Sequence, residues 1–219
     1  MRIMASVLTA DMARLGEEVR GLVEGGVDGI HWDIMDGRAT PGFSFGPVTI
    51  ASCRTHVDVE FEAHVMVRDP DERLLAGVAD AGCALAILHT DMLTQPWATA
   101  ERVRELGMRC GMALSPGVPL ETVRWLLPLV DRILIMTVEP GAGGQRYIAS
   151  MEAKVAEARR LLEDWDGHVE IEVDGGIAPA TVAGSRRAGA EVFVVGSALW
   201  AAPTFKEAVA QLRAAAASD

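Results

Sequence analysis

The chain has 219 residues, of which 50% are hydrophobic and 23% are charged, and its formal net charge is −11. This length fits one domain, and we expect a single domain over residues 1–219. The hydrophobic fraction is ample for a packed core and excludes a disordered chain. With 31 acidic against 20 basic residues there is no basic surface for phosphates, so nucleic acid is not an expected partner.

Nothing in the sequence indicates a membrane or secretory protein. No run of about 18 apolar residues is present, and residues 1–15 lack the apolar core of a secretory signal. Three scattered cysteines, Cys53, Cys83 and Cys110, form no CxxC pair and are predicted to be buried free thiols. We therefore expect a cytoplasmic protein in a reducing compartment, with no membrane partner.

Short apolar runs of strand length alternate with longer amphipathic stretches along the whole chain. Several runs are apolar on both faces, as strands covered by helices are. The runs are Arg2–Leu8, Gly29–Met35, Val57–Met66, Ala84–His89, Arg109–Leu114, Arg132–Val138, His168–Val173 and Glu191–Val195. Eight strand–helix units favour an α/β fold, a single (β/α)8 TIM barrel, over a doubly wound open sheet of five or six strands.

The second and third runs carry histidine and aspartate near their ends. Because strand side chains alternate between faces, His31, Asp33 and Met35 share one face of the second strand. His64 and Met66 share a face of the third. In a barrel the chemistry lies at the carboxyl ends of the strands, where these residues fall. Taken singly, each has an ordinary alternative, a solvated charged pair or a satisfied core histidine.

The seventh run places three acids, Glu170, Glu172 and Asp174, on one face. If that face points into the barrel, the acids need ion-pair partners or cations. If it points outward, they are simply solvated, and the pattern leaves both alternatives open.

Together these strands supply two imidazoles and two carboxylates. Two His and two Asp suit a divalent transition metal, and zinc, iron(II), manganese and cobalt all fit the set. The candidate ligands are His31, Asp33, His64 and Asp174. His89 ends the fourth run and is a candidate for a pocket residue or for a residue behind the ligands.

Glycine-rich turns follow the last three strands. Gly175 and Gly176 come after the seventh strand, and Gly196-Ser197 opens a short helical piece after the eighth. Backbone N–H groups there offer positive potential to a phosphate without any lysine. Between Glu139 and Gln145, three glycines in four residues are typical of a lid that closes over a ligand, and their spacing is not that of a dinucleotide-binding loop. Plain turns and an ordinary flexible loop remain the alternatives.

These residues resemble the ribulose-phosphate 3-epimerase family, nearly from end to end. The motifs that carry the resemblance are Ser6–Asp11, His31–Gly37, Phe45–Pro47, His64–Met66, Met136–Gly141, Gly143–Gln145, Glu172–Gly176 and Gly196–Ser197. The resemblance implies a metal-dependent, phosphate-binding barrel of the pentose phosphate pathway that interconverts ribulose 5-phosphate and xylulose 5-phosphate. It also implies a phosphorylated ketose as substrate and a homo-oligomeric protein.

The resemblance further implies roles for individual residues. A divalent metal would be bound by His31, Asp33, His64 and Asp174, and Asp33 and Asp174 would exchange the proton through a metal-stabilised enediolate. The sugar would be lined by Ser6, Met35, Met66 and Met136. The phosphate would be held by Gly143, Gly144, Gly176, Gly196 and Ser197.

The chain departs from the family's usual motifs near the predicted mouth of the barrel. The departures are Gly42 for Asn, Ala142 for the lid Phe, Glu139 for Asn, Asp91 for the Glu of His-x-Glu, and Glu62 for Asp. They bear on the identity of the sugar, so epimerases of allulose 6-phosphate or of a tetrulose phosphate remain alternatives. A sugar-phosphate-binding barrel without turnover is the non-enzymatic alternative.

Two other reaction classes are less well served by the sequence. Schiff-base aldolases and phosphate-barrel decarboxylases need a pocket lysine, but Lys154 and Lys206 both fall in predicted outer helices. A ketose–aldose isomerase needs only one base, whereas two candidate acids lie on well-separated strands.

Overall fold

The computed structural model describes residues 1–217. Its eight parallel strands pair in chain order, and the eighth pairs with the first, which closes the barrel. The strands are β1 (Arg2–Ser6), β2 (Gly29–Met35), β3 (Glu60–Met66), β4 (Leu85–His89), β5 (Arg109–Leu114), β6 (Arg132–Met136), β7 (Glu170–Asp174) and β8 (Val192–Val195). The helices are α1 (Leu15–Glu24), α2 (Pro47–Arg54), α3 (Glu72–Asp80), α4 (Pro96–Glu105), α5 (Glu121–Arg124), α6 (Met151–Glu163), α7 (Val182–Ala188) and α8 (Phe205–Ala216). The predicted (β/α)8 TIM barrel is confirmed.

Strand ends differ from the predicted ends by a few residues, with local causes. The first strand stops at Ser6 rather than Leu8, because the Ser6 hydroxyl accepts a hydrogen bond from the Leu8 N–H and a 3-10 turn begins at Val7. The third strand starts at Glu60 rather than Val57. The apolar pattern predicts where a strand lies, whereas caps and turns decide where it stops.

The alternation of faces in β2 separates packing from chemistry. Ile30, Trp32 and Ile34 are buried in the main core between the barrel and the helices. His31 and Asp33 face into the barrel. Strand β2 is therefore buried on both faces, with apolar residues on its outer face and the polar residues His31 and Asp33 on its inner face.

The barrel interior contains two small apolar clusters with polar side chains between them. One cluster is formed by Leu85, Ile87, Ala113, Leu134, Met136 and Val138. The other is formed by Met4, Val192 and Val194. Because these clusters come from opposite parts of the ring, the remaining inward positions on β2, β3, β6 and β7 form a band of charged and imidazole groups across the barrel.

Ion pairs close the amino-terminal end of this band. Glu170 lies 2.8 Å from Arg132 and 2.6 Å from Arg2, and Glu60 lies 2.8 Å from Arg109. The acids of β7 thus face into the barrel, which decides between the two alternatives that the sequence leaves open. The charge of Glu170 is compensated by Arg132 and Arg2, as buried acids require.

No helix among residues 1–217 is long and apolar enough to cross a membrane. Cys53, Cys83 and Cys110 are buried and unpaired. Burial raises the pKa of the Cys83 and Cys110 thiols to about 12, which keeps both thiols protonated at neutral pH.

Candidate active site and metal centre

Four side chains converge at the carboxyl end of the barrel. His31 and Asp33 come from β2, His64 from β3 and Asp174 from β7, and one donor atom of each lies within 4.8 Å of the others. The register of β2 on β3 sets Asp33 beside His64. Both imidazoles are fully buried, while the Asp174 side chain keeps 16% of its surface exposed. The histidines therefore lie beneath the site and Asp174 reaches its open side.

The distances fit one tetrahedral cation. His31 Nε2 lies 3.2 Å from His64 Nδ1, and Asp33 Oδ1 lies 3.5 Å and 3.3 Å from these two nitrogens. Asp174 Oδ2 lies 3.9 Å and 3.5 Å from the same pair. Ligands bound at about 2.1 Å in tetrahedral geometry stand roughly 3.4 Å apart. The donor set and its spacing both fit a divalent transition metal.

The Asp33 carboxylate is fixed on both sides. Burial alone would raise its pKa, but the imidazoles of His31 and His64 outweigh burial and hold the pKa of Asp33 far below its usual range. Its second oxygen, Oδ2, accepts a hydrogen bond of 2.7 Å from the Ser6 hydroxyl. Asp33 is therefore ionised and held in one orientation at neutral pH.

Behind His31 lies a buried carboxylate–arginine pair. His31 Nδ1 lies 2.7 Å from Glu62 Oε1, and the other Glu62 oxygen accepts from the Arg132 guanidinium. Burial opposes ionisation, but Arg132 and His31 lower the pKa of Glu62 to about 2. A metal-bound histidine that donates its other N–H to a carboxylate is held in orientation and is a more basic ligand.

The neighbouring Glu172 behaves differently although it too is fully buried. Burial and the adjacent Glu62 carboxylate raise the pKa of Glu172 well above its usual value, despite Arg132 at 3.3 Å. Its Oε1 has no hydrogen-bond partner among the described residues. Glu172 is thus the neutral member of a buried pair in which Glu62 carries the charge.

Behind His64 lies a second contact, with another imidazole. His64 Nε2 is 2.8 Å from His89 Nε2, and the two rings are nearly parallel, 16° apart. His89 Nδ1 in turn lies 3.2 Å from Ser115 Oγ and 3.5 Å from Asp91 Oδ1. Burial lowers the pKa of His89 against the opposing effect of Asp91.

A cavity of about 490 Å³ opens above the four candidate ligands. The predicted residues that line it are Ser6, Asp33, Met66, Met136, Gly143, Gly144, Asp174, Gly176, Gly196 and Ser197. His31 and His64 lie beneath it. Met35 is buried at the end of β2 and is not a lining residue of this cavity in the described chain.

Glycines shape the end of the cavity formed by the loops after β7 and β8. Gly176 has a φ of +64°, and a Cβ there would lie 2.7 Å from the backbone nitrogen of Tyr147. Only glycine fits this left-handed, closely approached position without strain. After β8, residues 197–200 form a hydrogen-bonded turn, in place of the predicted short helical piece, and bring Ser197 to the cavity wall.

Two loops meet over the mouth. A Cβ at Gly42 would lie 3.0 Å from the carbonyl oxygen of Gly141, and a Cβ at Gly141 would lie 2.7 Å from Thr40 Cβ. Gln145 closes the glycine-rich loop on itself by donating to the carbonyls of Glu139 and Ala142. The absence of side chains at the two glycines allows the loops to touch through their backbones.

Several residues around the site lie outside the sequence-based candidates. Arg132 and Ser115 contact other elements of the barrel, Arg132 through Glu62 and Ser115 through His89, whereas Gln145 closes its own loop. Arg132 carried a readable signal: an arginine at an inward position of an otherwise aliphatic strand needs acidic partners. Ser115 carried none, because serine is an ordinary loop residue.

The chain was compared with models of known protein families. A model described as the ribulose-phosphate 3 epimerase family matches residues 2–200. The chain belongs to this family. As a member, it is an epimerase, an isomerase that acts on carbohydrates.

Three relatives, each named ribulose-phosphate 3-epimerase, show how far the likeness extends. The protein from Synechocystis sp. is 37% identical over 213 residues, 96% of this chain and 92% of the relative. The protein from Bacillus subtilis is 33% identical, with 97% and 98% covered. The protein from Escherichia coli is 32% identical, with 96% and 94% covered. The epimerase family therefore accounts for essentially the whole chain.

Solved structures extend the fold likeness beyond the family. A 3-hexulose-6-phosphate synthase from Salmonella typhimurium superposes with a TM-score of 0.72 at 18% identity, covering 99% of this chain and 98% of its own. KGPDC from Streptococcus mutans gives 0.73 at 12% identity, covering 98% and 96%. At these identities the likeness concerns the barrel alone.

Proposed function

We propose that this epimerase inverts C3 of ribulose 5-phosphate to give xylulose 5-phosphate. A divalent metal would be held by His31, Asp33, His64 and Asp174, with Asp33 and Asp174 as the acid–base pair. The observation that carries the proposal is the convergence of these four side chains beneath one cavity. The choice of ribulose 5-phosphate as the substrate rests on the similar proteins, which are named ribulose-phosphate 3-epimerase.

The positions of the two carboxylates on separate strands support a scheme in which they act from different sides of a substrate. Asp33 lies on β2 and Asp174 on β7, and β1 and β8 stand between these strands. One carboxylate takes the C3 proton as base and the other returns a proton to the opposite face. Asp33, as an ionised carboxylate, would be the base at the start of one direction, and the roles would exchange in reverse. A divalent cation held by the four ligands would supply positive charge that stabilises the negative charge developing on the substrate.

The remaining lining residues would orient the substrate and exclude water. Ser6 holds Asp33 in position, and Met66 and Met136 form an apolar wall beside the carboxylates. We assign Met35 to the support of this sugar site rather than to its surface. The phosphate would bind at the backbone N–H groups of Gly143, Gly144, Gly176, Gly196 and Ser197.

Lysine-dependent lyase chemistry is disfavoured by position. Lys154 Nζ donates to the carbonyl oxygens of Ser115, Pro116 and Val118, and Lys206 lies in α8. Neither lysine lines the cavity.

The residues that determine which sugar phosphate is bound would lie at the rim of the cavity. Glu139 and Ala142 line the cavity, and Gly42 lies against the Gly141 carbonyl, whereas Asp91 lies behind His89 and away from the cavity. We expect the first three, and not Asp91, to affect discrimination among ketose phosphates. Relative kcat/KM over four-, five- and six-carbon ketose phosphates measures this directly.

Proton exchange tests the reaction. The metal-loaded protein is incubated with ribulose 5-phosphate in deuterated water, and deuterium at C3 of the product is measured by NMR. Asp33→Asn and Asp174→Asn should each slow incorporation by about 10²- to 10⁴-fold, since each removes one proton-transferring group. Asp36→Asn is the matched control, because Asp36 follows the same strand but its Oδ1 accepts only from the backbone N–H groups of its own loop, which an amide oxygen can replace.

The outcome separates the alternatives. Wild-type turnover in either Asp33→Asn or Asp174→Asn contradicts the two-acid scheme. Conversion to an aldose rather than to the C3 epimer identifies a ketose–aldose isomerase. Metal binding without proton exchange on any ketose phosphate identifies a binding protein without turnover.

A further inference from the structure

We propose that His89 is a positioning residue for the metal ligand His64, acting as the acceptor that fixes the tautomer and ring orientation of His64. The proposal rests on the metal site of the proposed function and extends it to residues that do not touch metal or substrate.

The two nitrogens of His64 face different surroundings. Nδ1 points to the candidate metal position, with His31 Nε2 at 3.2 Å and carboxylate oxygens of Asp33 and Asp174 at 3.3 Å and 3.5 Å. Nε2 points to His89 Nε2 at 2.8 Å. A neutral imidazole that gives the lone pair of Nδ1 to a cation must carry its proton on Nε2. His64 is then the donor in this contact, and His89 Nε2 is the acceptor.

The acceptor role of His89 fixes its own proton on Nδ1. That nitrogen faces Ser115 Oγ at 3.2 Å and Asp91 Oδ1 at 3.5 Å. Ser115 Oγ also lies 3.2 Å from Asp91 Oδ2, so it accepts from His89 and donates to Asp91. The donors and acceptors are consistent along the whole path, from the buried metal site to Asp91, whose side chain is 37% exposed.

Because the side chains of this path are buried, each of their hydrogen-bond donors needs an acceptor within the protein. His64 and His89 are 0% and 1% exposed, and Ser115 is 7% exposed. A buried Nε2–H without an acceptor carries a desolvation cost, so loss of the acceptor favours another ring orientation or tautomer. Either change moves Nδ1 away from the cation.

Lys154 hydrogen-bonds to the loop that carries Ser115. Lys154 Nζ, from α6, lies 3.1 Å from the Ser115 carbonyl, 2.8 Å from that of Pro116 and 2.8 Å from that of Val118. This cluster fixes the loop after β5, and with it the Ser115 hydroxyl. It gives Lys154 a structural role outside the cavity.

The two metal-binding histidines therefore have unlike supports. His31 donates to the Glu62 carboxylate, which is anionic and paired with Arg132. His64 donates to a neutral imidazole. A carboxylate behind a ligand strengthens its basicity, whereas a neutral acceptor mainly sets its direction. Loss of His89 should thus affect the metal through the geometry of His64.

Metal affinity without substrate is the test. The protein is stripped with a chelator, and Zn²⁺ affinity is measured by competition with a chromophoric chelator; the visible absorption of the Co²⁺ form reports ligand geometry. His89→Leu should weaken Zn²⁺ binding by about 10- to 100-fold and alter the Co²⁺ spectrum. His89→Gln should stay within about fivefold of wild type, because the Gln Oε1 is an acceptor near the position of Nε2. Leu88→Ala is the matched control for lost stability, since Leu88 is buried on the outer face of the same strand.

Each result has one meaning. Wild-type affinity and spectrum in His89→Leu overturn the proposal, and so does an equal loss in His89→Gln and His89→Leu, because then the acceptor is not what matters. Leu88→Ala weakening Zn²⁺ as much as His89→Leu also overturns it, since the effect is then one of stability. If the wild-type protein itself binds neither Zn²⁺ nor Co²⁺, the proposed metal site fails first.

Discussion

Two buried glutamates of the barrel interior should respond in opposite ways to the same substitution. Glu62 and Glu172 are both fully buried and both contact Arg132. The pKa of Glu62 is lowered to about 2, while that of Glu172 is raised well above its usual value. Glutamine mimics a neutral carboxyl group and not a carboxylate. Glu172→Gln therefore preserves the charge of its site, and Glu62→Gln changes it.

The contacts give the size of the difference. Glu62 accepts two charge-assisted hydrogen bonds, from His31 and from Arg132, each contributing about 1.5–3 kcal/mol. An amide keeps one acceptor oxygen and turns an NH₂ group toward the other donor, so Glu62→Gln should lower the free energy of unfolding by about 3 kcal/mol. Glu172→Gln keeps an oxygen for Arg132 and replaces only Oε1, which has no hydrogen-bond partner among the described residues, so it should cost below about 1 kcal/mol.

Urea unfolding at pH 7 with a chelator present measures both variants without any contribution from metal. Tryptophan fluorescence is a suitable signal because Trp32 is fully buried on β2. The free energies of unfolding are compared at equal denaturant dependence. Equal losses for the two variants, or a larger loss for Glu172→Gln, would refute the assigned protonation states.

Three further predictions concern separate parts of the barrel. Burial opposes ionisation of Glu170, but Arg132 outweighs burial and lowers the pKa of this carboxyl group. The ionised Glu170 therefore stabilises the fold above the unfolded-state pKa, and this stabilisation is lost as the pH falls through the folded-state pKa. Glu170→Gln should therefore cost about 2 kcal/mol in urea unfolding at pH 7, and the difference from wild type should narrow below about pH 4; a constant difference contradicts this. Ser6→Ala removes the hydrogen bond to Asp33 and should lower kcat for the epimerisation by about 10- to 100-fold in a coupled assay, and an unchanged kcat would show that Asp33 needs no such support. Gly176→Ala forces a side chain into a left-handed position against Tyr147 and should cost about 2 kcal/mol in thermal unfolding, with a raised KM for the sugar phosphate; wild-type values for both would contradict the close approach.

The sequence predicts the barrel and the candidate ligands for the same physical reason. Alternation along a strand is a local rule, so His31 and Asp33 share a face wherever β2 lies. The parallel order of strands then brings every carboxyl end to one side, which places His64 and Asp174 nearby. The positions of His31, Asp33 and His64 therefore follow from periodicity and topology, whereas that of Asp174 also depends on which face of β7 points inward.

The contacts behind the ligands did not follow from the sequence. The pairing of Glu62 with Arg132 joins strands that are not neighbours, and it depends on how long side chains meet inside the barrel. The direction of Glu170 and Glu172 was undecided for the same reason, since a row of acids reads alike on either face. Met35 shares the strand face of His31 and Asp33, as its position in the sequence predicts, but it is not among the residues that line the cavity.

The band of polar side chains inside the barrel ties architecture to catalysis. Its arginines and glutamates hold the amino-terminal end together, and its histidines and aspartates form the proposed reactive end, with Glu62 belonging to both. Few of these positions are free to vary, because a change made for chemistry would also unbalance the buried charges. We therefore expect adaptation to a new sugar to occur in the rim loops, where Gly42, Glu139 and Ala142 already differ from the family's usual motifs.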